Sequence, residues 1–151
     1  GKQFGNAGSW QEGRRVTRRF LIDSMKVDST EIAAEDGSGL AANNLIAPRA
    51  FTTMLSYIRK HPRYDVIAAA LPQSGATGSL RRRFIGTPIE GRVRAKSGTI
   101  SRVNSLSGYV ERSDGRVLVF SIQANHHTLG STRMIAAIDS IVVELGKPIG
   151  K

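Results

Sequence analysis

The spacing of apolar positions changes twice along this chain. Before residue 72 it mostly follows the three-and-four rhythm of helices with one buried face, from Val93 to Ala124 it alternates as half-buried strands do, and from Met134 the helical rhythm returns. Ser9 followed by Glu12 fits a capping box, in which hydroxyl and carboxylate satisfy orphan amides at a helix start. The pattern predicts a helix to about Met25, with Val16, Phe20 and Leu21 inward and Arg14, Arg15, Arg18 and Arg19 outward. Thr30 to Glu35 reads as a short strand. Asp36-Gly37-Ser38-Gly39-Leu40 reads as a turn whose side chains bond their own backbone. Pro48 opens a second helix, where its missing N–H costs nothing; Phe51, Met54, Leu55 and Ile58 form the apolar stripe, and Pro62 ends it. A short alanine-rich helix over about Tyr64 to Leu71 leads into the Gly/Ser loop of residues 72–79.

In the last third Val93 to Lys96 is a short strand, and Leu106 to Glu111 and Val117 to Ala124 are longer ones. Asp114-Gly115 joins the longer two as a tight hairpin, because both residues accept positive φ. Met134 to Leu145 is an amphipathic closing helix with Gly146 as its stop. Helices, then an antiparallel sheet over Lys96 to Ala124, then a covering helix define an α+β fold in one domain, residues 1–151.

Composition narrows the function classes. The net charge is +10, and arginine supplies most of the 22 basic residues, clustered at Arg14 to Arg19 and Arg81 to Arg83. Such a balance favours anionic partners: nucleic acid, anionic lipid or a polyanionic cell wall. No RNA-binding aromatic signature, helix-turn-helix pattern or zinc spacing accompanies it, so a solvated basic face is the simpler reading. Nothing is long and apolar enough to span a membrane, and the first residues hold no apolar signal segment. The absence of an initiator Met makes the sequence read as a processed or excised piece. With zero cysteines there are neither disulfides nor thiolate metal sites. No metal or cofactor is expected: adjacent His126 and His127 in extended chain point to opposite faces, which argues against a joint site. Nothing in the pattern converges Asp23, Asp28, Glu31 and Glu35 into an acid pair.

The stretch with chemical content is RVRAKSGTISRVNSLSGYV, residues 92–110. A lysine, a hydroxyl residue and a glycine (Lys96, Ser97, Gly98) close a strand, and Thr99 follows. The lysine gives positive potential, the hydroxyls donate to a carboxylate, and the glycine lets a ligand lie against the strand and extend the sheet. Together with EDGSGLAANNLIAPRAF and the loop LPQSGATGSL, in that order, this stretch resembles the C-terminal part of D-alanyl-D-alanine carboxypeptidase/endopeptidases. These are the low-molecular-mass class C penicillin-binding proteins, and the resemblance covers nearly the whole chain.

The resemblance implies a penicillin-binding-protein/β-lactamase-like fold and a serine D,D-peptidase of peptidoglycan, working through an acyl-enzyme in the periplasm or cell envelope of a bacterium. The family needs S-x-x-K, S-x-N and K-T-G. Neither of the first two occurs here: Ser56-Tyr57-Ile58-Arg59 and Ser113-Asp114-Gly115-Arg116 end in arginine, which cannot act as a base at neutral pH. The chain therefore reads as the C-terminal portion of the domain, inactive alone, with KSG in place of KTG. By resemblance Lys96 and Thr99 are catalytic, Lys96 supplying potential and Thr99 offering its N–H to an oxyanion hole. Ser97, Gly98 and Thr99 bind the substrate. Expected partners are peptidoglycan peptides, β-lactams, and the missing N-terminal part or a second copy of the chain; nucleic acid is not expected. The alternatives are a basic nucleic-acid-binding module and a non-catalytic wall-binding domain of the same fold.

Overall fold

The computed structural model describes residues 2–148, and the chain divides into two compact units, Gly1–Tyr57 and Ile58–Lys151. In the first, α1 runs Trp10–Asp23 and is capped as expected, with Ser9 Oγ accepting the Glu12 N–H at 3.2 Å. The other half of the box differs. The Glu12 carboxylate takes the Asn6 N–H at 2.8 Å and Arg15 at 2.6 Å. The Arg15 contact first, and the Asn6 amide second, hold the Glu12 carboxyl down at about 2. Leu21 and Met25 pack on Val27, Ile32 and Ala50, but Phe20 stays 48% exposed. Neighbouring helix positions lie about 100° apart, so a narrow apolar contact accepts Leu21 and leaves Phe20 outside.

The expected strand over Thr30 to Glu35 shrinks. Asp28 Oδ1 takes the Thr30 N–H at 2.9 Å and caps a 3₁₀ turn over Ser29–Glu31. This local bond competes with pairing, leaving β1 (Ile32–Ala33) to pair antiparallel with β2 (Leu45–Ile46), a strand the pattern did not announce. The DGSGL turn does bond itself: Ser38 N–H and Oγ both reach Asp36 Oδ1, and Asn44 Nδ2 joins them at 3.0 Å. α2 (Pro48–Arg59) starts at its proline. The arginines of α1 are engaged rather than free: Arg14 with Glu35, Arg15 with Glu12, Arg18 with the Ser29 carbonyl, Arg19 with Asp23. With Asp28 capping its turn and Arg49 on Glu31, the four acids are spread over separate local tasks.

In the second unit, α3 (Tyr64–Ala70) sets Tyr64 edge-on against buried Tyr109, with ring centroids 5.3 Å apart. The sheet is antiparallel in the order β3 (Val93–Ile100), β4 (Val103–Glu111), β5 (Val117–Asn125). Val93, Ala95, Leu106, Val110 and Phe120 share its inner face with Ile138 and Val142 of α4 (Ser131–Leu145), together with Leu80, Phe84 and Ile89 from the loop before β3. Gly108 faces Ala95 across the strands, and a Cβ there would lie 2.2 Å from the Arg94 carbonyl oxygen.

Two hairpins differ from expectation. β3 does not stop at Lys96, because Ser101 and Arg102 turn the chain directly and Ile100 pairs with Val103. At the other hairpin only Gly115 takes positive φ (79°). Asp114 instead accepts the Arg116 N–H at 3.0 Å, and Arg112 N–H bonds the Arg116 carbonyl at 2.8 Å, which makes the loop one residue longer than a two-residue turn.

Candidate active site

The loop before β3 fixes how much of that strand is open. Ala95 N–H donates to the Pro72 carbonyl at 3.0 Å, and the Val93 carbonyl accepts Ser74 N–H at 3.0 Å. Residues 93 and 95 thus turn their backbone groups away from β4, while the Arg92 carbonyl accepts Glu111 N–H on the β4 side. Strand alternation then turns the N–H and C=O of Ser97 and Thr99 to the same outer edge. Among the described residues, backbone pairing on that edge ends at Ala95. A short length of sheet edge is left open beside the KSG residues.

The side chains sort by strand parity. Ser97 and Thr99 share one face; Lys96 and Gly98 share the other. Ser97 Oγ donates to Ser79 Oγ at 2.8 Å, and Ser79 lies in the 3₁₀ turn Gly78–Leu80 that ends the Gly/Ser loop. Buried Ser74 anchors that loop: its Oγ donates to the Ile89 carbonyl at 3.0 Å and accepts the Val93 N–H at 3.1 Å. Lys96 is exposed, and its ammonium reaches round the strand to the Ser97 carbonyl at 2.6 Å. One cation, three hydroxyls and two outward N–H groups thus gather along one edge. That set can hold a carboxylate and an extended peptide backbone.

Gly98 has a further reason beside ligand approach. It faces Ser105 across the strands, and a Cβ on it would lie 2.6 Å from Ser105 Oγ. The space is already used by a neighbouring hydroxyl.

Thr99 leads to residues that sequence reasoning missed. Its Oγ1 accepts from Asn104 Nδ2 at 3.1 Å, across the same register pair. Asn104 is 1% exposed, and its Oδ1 lies 2.9 Å from His127 Nε2. His127 Nδ1 lies 2.8 Å from the Leu129 carbonyl. His126 takes positive φ (53°), so the His126-His127 pair breaks the extended geometry assumed for it, and His127 is held within the sheet end. The only sequence signal for this chain of contacts is an asparagine at an inward-facing strand position. Ser79 gave none beyond its loop.

The family pattern described as D-Ala-D-Ala carboxypeptidase 3 (S13) matches residues 1–145. A D-alanyl-D-alanine carboxypeptidase of Actinomadura sp. (strain R39) is 34% identical over 155 residues, covering 99% of this chain and 28% of that protein. A penicillin-sensitive carboxypeptidase A of Dictyostelium discoideum is 33% identical, over 85% of this chain and 26% of its own length. The chain therefore spans under a third of the curated relatives it matches. Among solved structures, penicillin binding protein 4 (dacB) from Haemophilus influenzae, complexed with a β-lactam, superposes with a TM-score of 0.83 at 25% identity, covering 93% of this chain and 34% of that one.

Proposed function

Because the chain belongs to the D-Ala-D-Ala carboxypeptidase 3 (S13) family, we propose that it forms one wall of the active site of a serine D,D-peptidase. Its substrates are the D-Ala-ending peptides or peptide cross-links of peptidoglycan, its inhibitors β-lactams, and its place the bacterial cell envelope. The observation that carries this reading is the open β3 edge at Ser97 and Thr99, flanked by the Lys96 ammonium and the Ser97–Ser79 hydroxyl pair.

A substrate laid antiparallel on this edge gives its backbone to the outward groups of Ser97 and Thr99. Its terminal carboxylate meets the Ser97 and Thr99 hydroxyls and the positive potential of Lys96. Thr99 N–H is one donor of an oxyanion hole; the other is the N–H of the nucleophilic serine. Residues 1–151 hold no S-x-x-K, so nucleophile and base belong to a part of the protein outside this chain. The alternative of a nucleic-acid module loses support, since the α1 arginines are occupied by neighbouring acids and a carbonyl.

The test is Lys96→Ala in the full-length protein, read as acylation by penicillin and release of D-Ala from a pentapeptide. A loss beyond about a hundredfold is expected, since both local potential and proton transfer from the nucleophile suffer. Wild-type rates would place the site elsewhere.

A further inference from the structure

We propose that His127 and Asn104 are positioning residues that decide which way the Thr99 hydroxyl donates, so that one proton on His127 governs recognition of the substrate carboxylate. The proposal rests on the reading of Thr99 as a carboxylate donor and deepens it.

The Leu129 carbonyl can only accept, so the His127 Nδ1 facing it at 2.8 Å carries a proton. The state of Nε2 then sets everything downstream. When Nε2 is also protonated, it donates to Asn104 Oδ1 at 2.9 Å, and Asn104 Nδ2 donates to Thr99 Oγ1 at 3.1 Å. The Thr99 proton is then left to point outward, toward a ligand. When Nε2 is bare, its lone pair opposes Oδ1. The carboxamide turns over, Nδ2 donates to Nε2, and Oδ1 accepts the Thr99 proton. The outward donor is gone. Asn104 is 1% exposed, so bulk water does not replace either partner, and the carboxamide must satisfy both neighbours at once. His127 is half-buried, so its Nε2 proton can pass to and from solvent, and only that N–H bond is made or broken.

Other charges do not pre-empt this role. The ion pairs among the described residues leave His127 out. On the adjoining elements the charged or titratable groups are Arg94 and Lys96 on β3, Arg102 in the β3–β4 turn, Tyr109 on β4, His126 beside His127, and Arg133, Asp139 and Glu144 on α4, of which Asp139 pairs with Arg83 and Glu144 with Lys147. The one charge on β4, Glu111, stands at the opposite end of the strand, and β5 carries none. The protonation state of His127 thus reaches Thr99 through the orientation of the Asn104 carboxamide, with no proton passed to Thr99.

The experiment uses the full-length protein. Nitrogen-15 NMR follows the His127 ring and the Asn104 amide across a pH series that takes the ring from doubly to singly protonated. In parallel, acylation by benzylpenicillin is compared with acylation by its methyl ester, which lacks the carboxylate. At the acid end the acid form should be preferred by about tenfold more than at the alkaline end, the worth of one charge-assisted bond. Asn104→Asp can only accept, draws the Thr99 proton inward, and should erase the preference at every pH. His127→Gln, at a half-buried position, keeps a neutral donor and should make the preference independent of pH. An Asn104 amide signal that ignores the His127 titration would overturn the relay, as would a preference that stays constant while the ring titrates. If neither penicillin form acylates the wild type, the D,D-peptidase reading is lost, while the NMR arm still decides the relay.

Discussion

At the scale of single residues, the hydroxyls of the proposed substrate wall are held by their neighbours, Ser97 by Ser79 and Thr99 by Asn104. Ser97 donates to Ser79, and on the proposed reading a bound carboxylate takes that proton over. Ser97→Ala should cost about 1.5–3 kcal/mol of transition-state stabilisation, about ten- to a hundredfold in kcat/KM for carboxylate-bearing substrates. Ser97→Thr keeps the hydroxyl and suits a strand, so activity should hold. Ser79→Ala should cost less than Ser97→Ala, because it removes the holder and leaves the donor. Equal losses in the two variants, measured as penicillin acylation, would show that Ser79 itself touches the ligand. Far from the site, Glu12 carries its own test. Its carboxyl lies near 2 against an ordinary 4.5, so its ionised form favours the folded state. That contribution is complete above about pH 4.5 and fades as pH falls toward 2. Carbon-13 NMR of the Glu12 carboxyl should show a midpoint well below 4.5, and Arg15→Ala should raise it; an ordinary midpoint in the wild type contradicts the contact.

At the scale of elements, the strand pair that carries the candidate site relies on the close approach of β3 and β4 at Gly108. A methyl group there would sit 2.2 Å from the Arg94 oxygen, with backbone rather than a pliable side chain in its way. Gly108→Ala should therefore destabilise by about 1–3 kcal/mol, seen as a lower denaturation midpoint with unchanged slope. Gly98→Ala meets only the Ser105 hydroxyl, which can rotate aside, so it should cost less in stability. A larger stability loss at Gly98 than at Gly108 would reverse this account of the strand pair.

At the scale of the whole molecule, the described residues leave large apolar side chains in water. Trp10 is 86% exposed and Phe4 76%. The emission of this single tryptophan should be readily quenched by acrylamide in the isolated chain; a shielded Trp10 would mean that the chain covers it by self-association. Without an S-x-x-K serine, the isolated chain should gain no covalent label from a fluorescent penicillin. A band at 16.3 kDa that survives denaturation would reveal a nucleophile among these residues.

Periodicity and turn chemistry determined both long helices before the sheet, the three-stranded sheet with its closing helix, and a strand that reaches Lys96. These are local matters: a proline at a helix start, a serine cap and a period of two act within a few residues. What lay beyond reach was set by competition or by distance. Asp28 took Thr30 out of a strand by one hydrogen bond, and the Ser101-Arg102 turn carried β3 past its expected end. Only tertiary structure decided that the loop at Pro72 to Ser74 covers β3 as far as Ala95 and no farther. It alone joined Ser79 to Ser97 and His127 through Asn104 to Thr99, pairs 18 to 23 residues apart or meeting across strand register. No periodicity records such contacts, because strand pairing and loop packing bring them together only after each segment has formed.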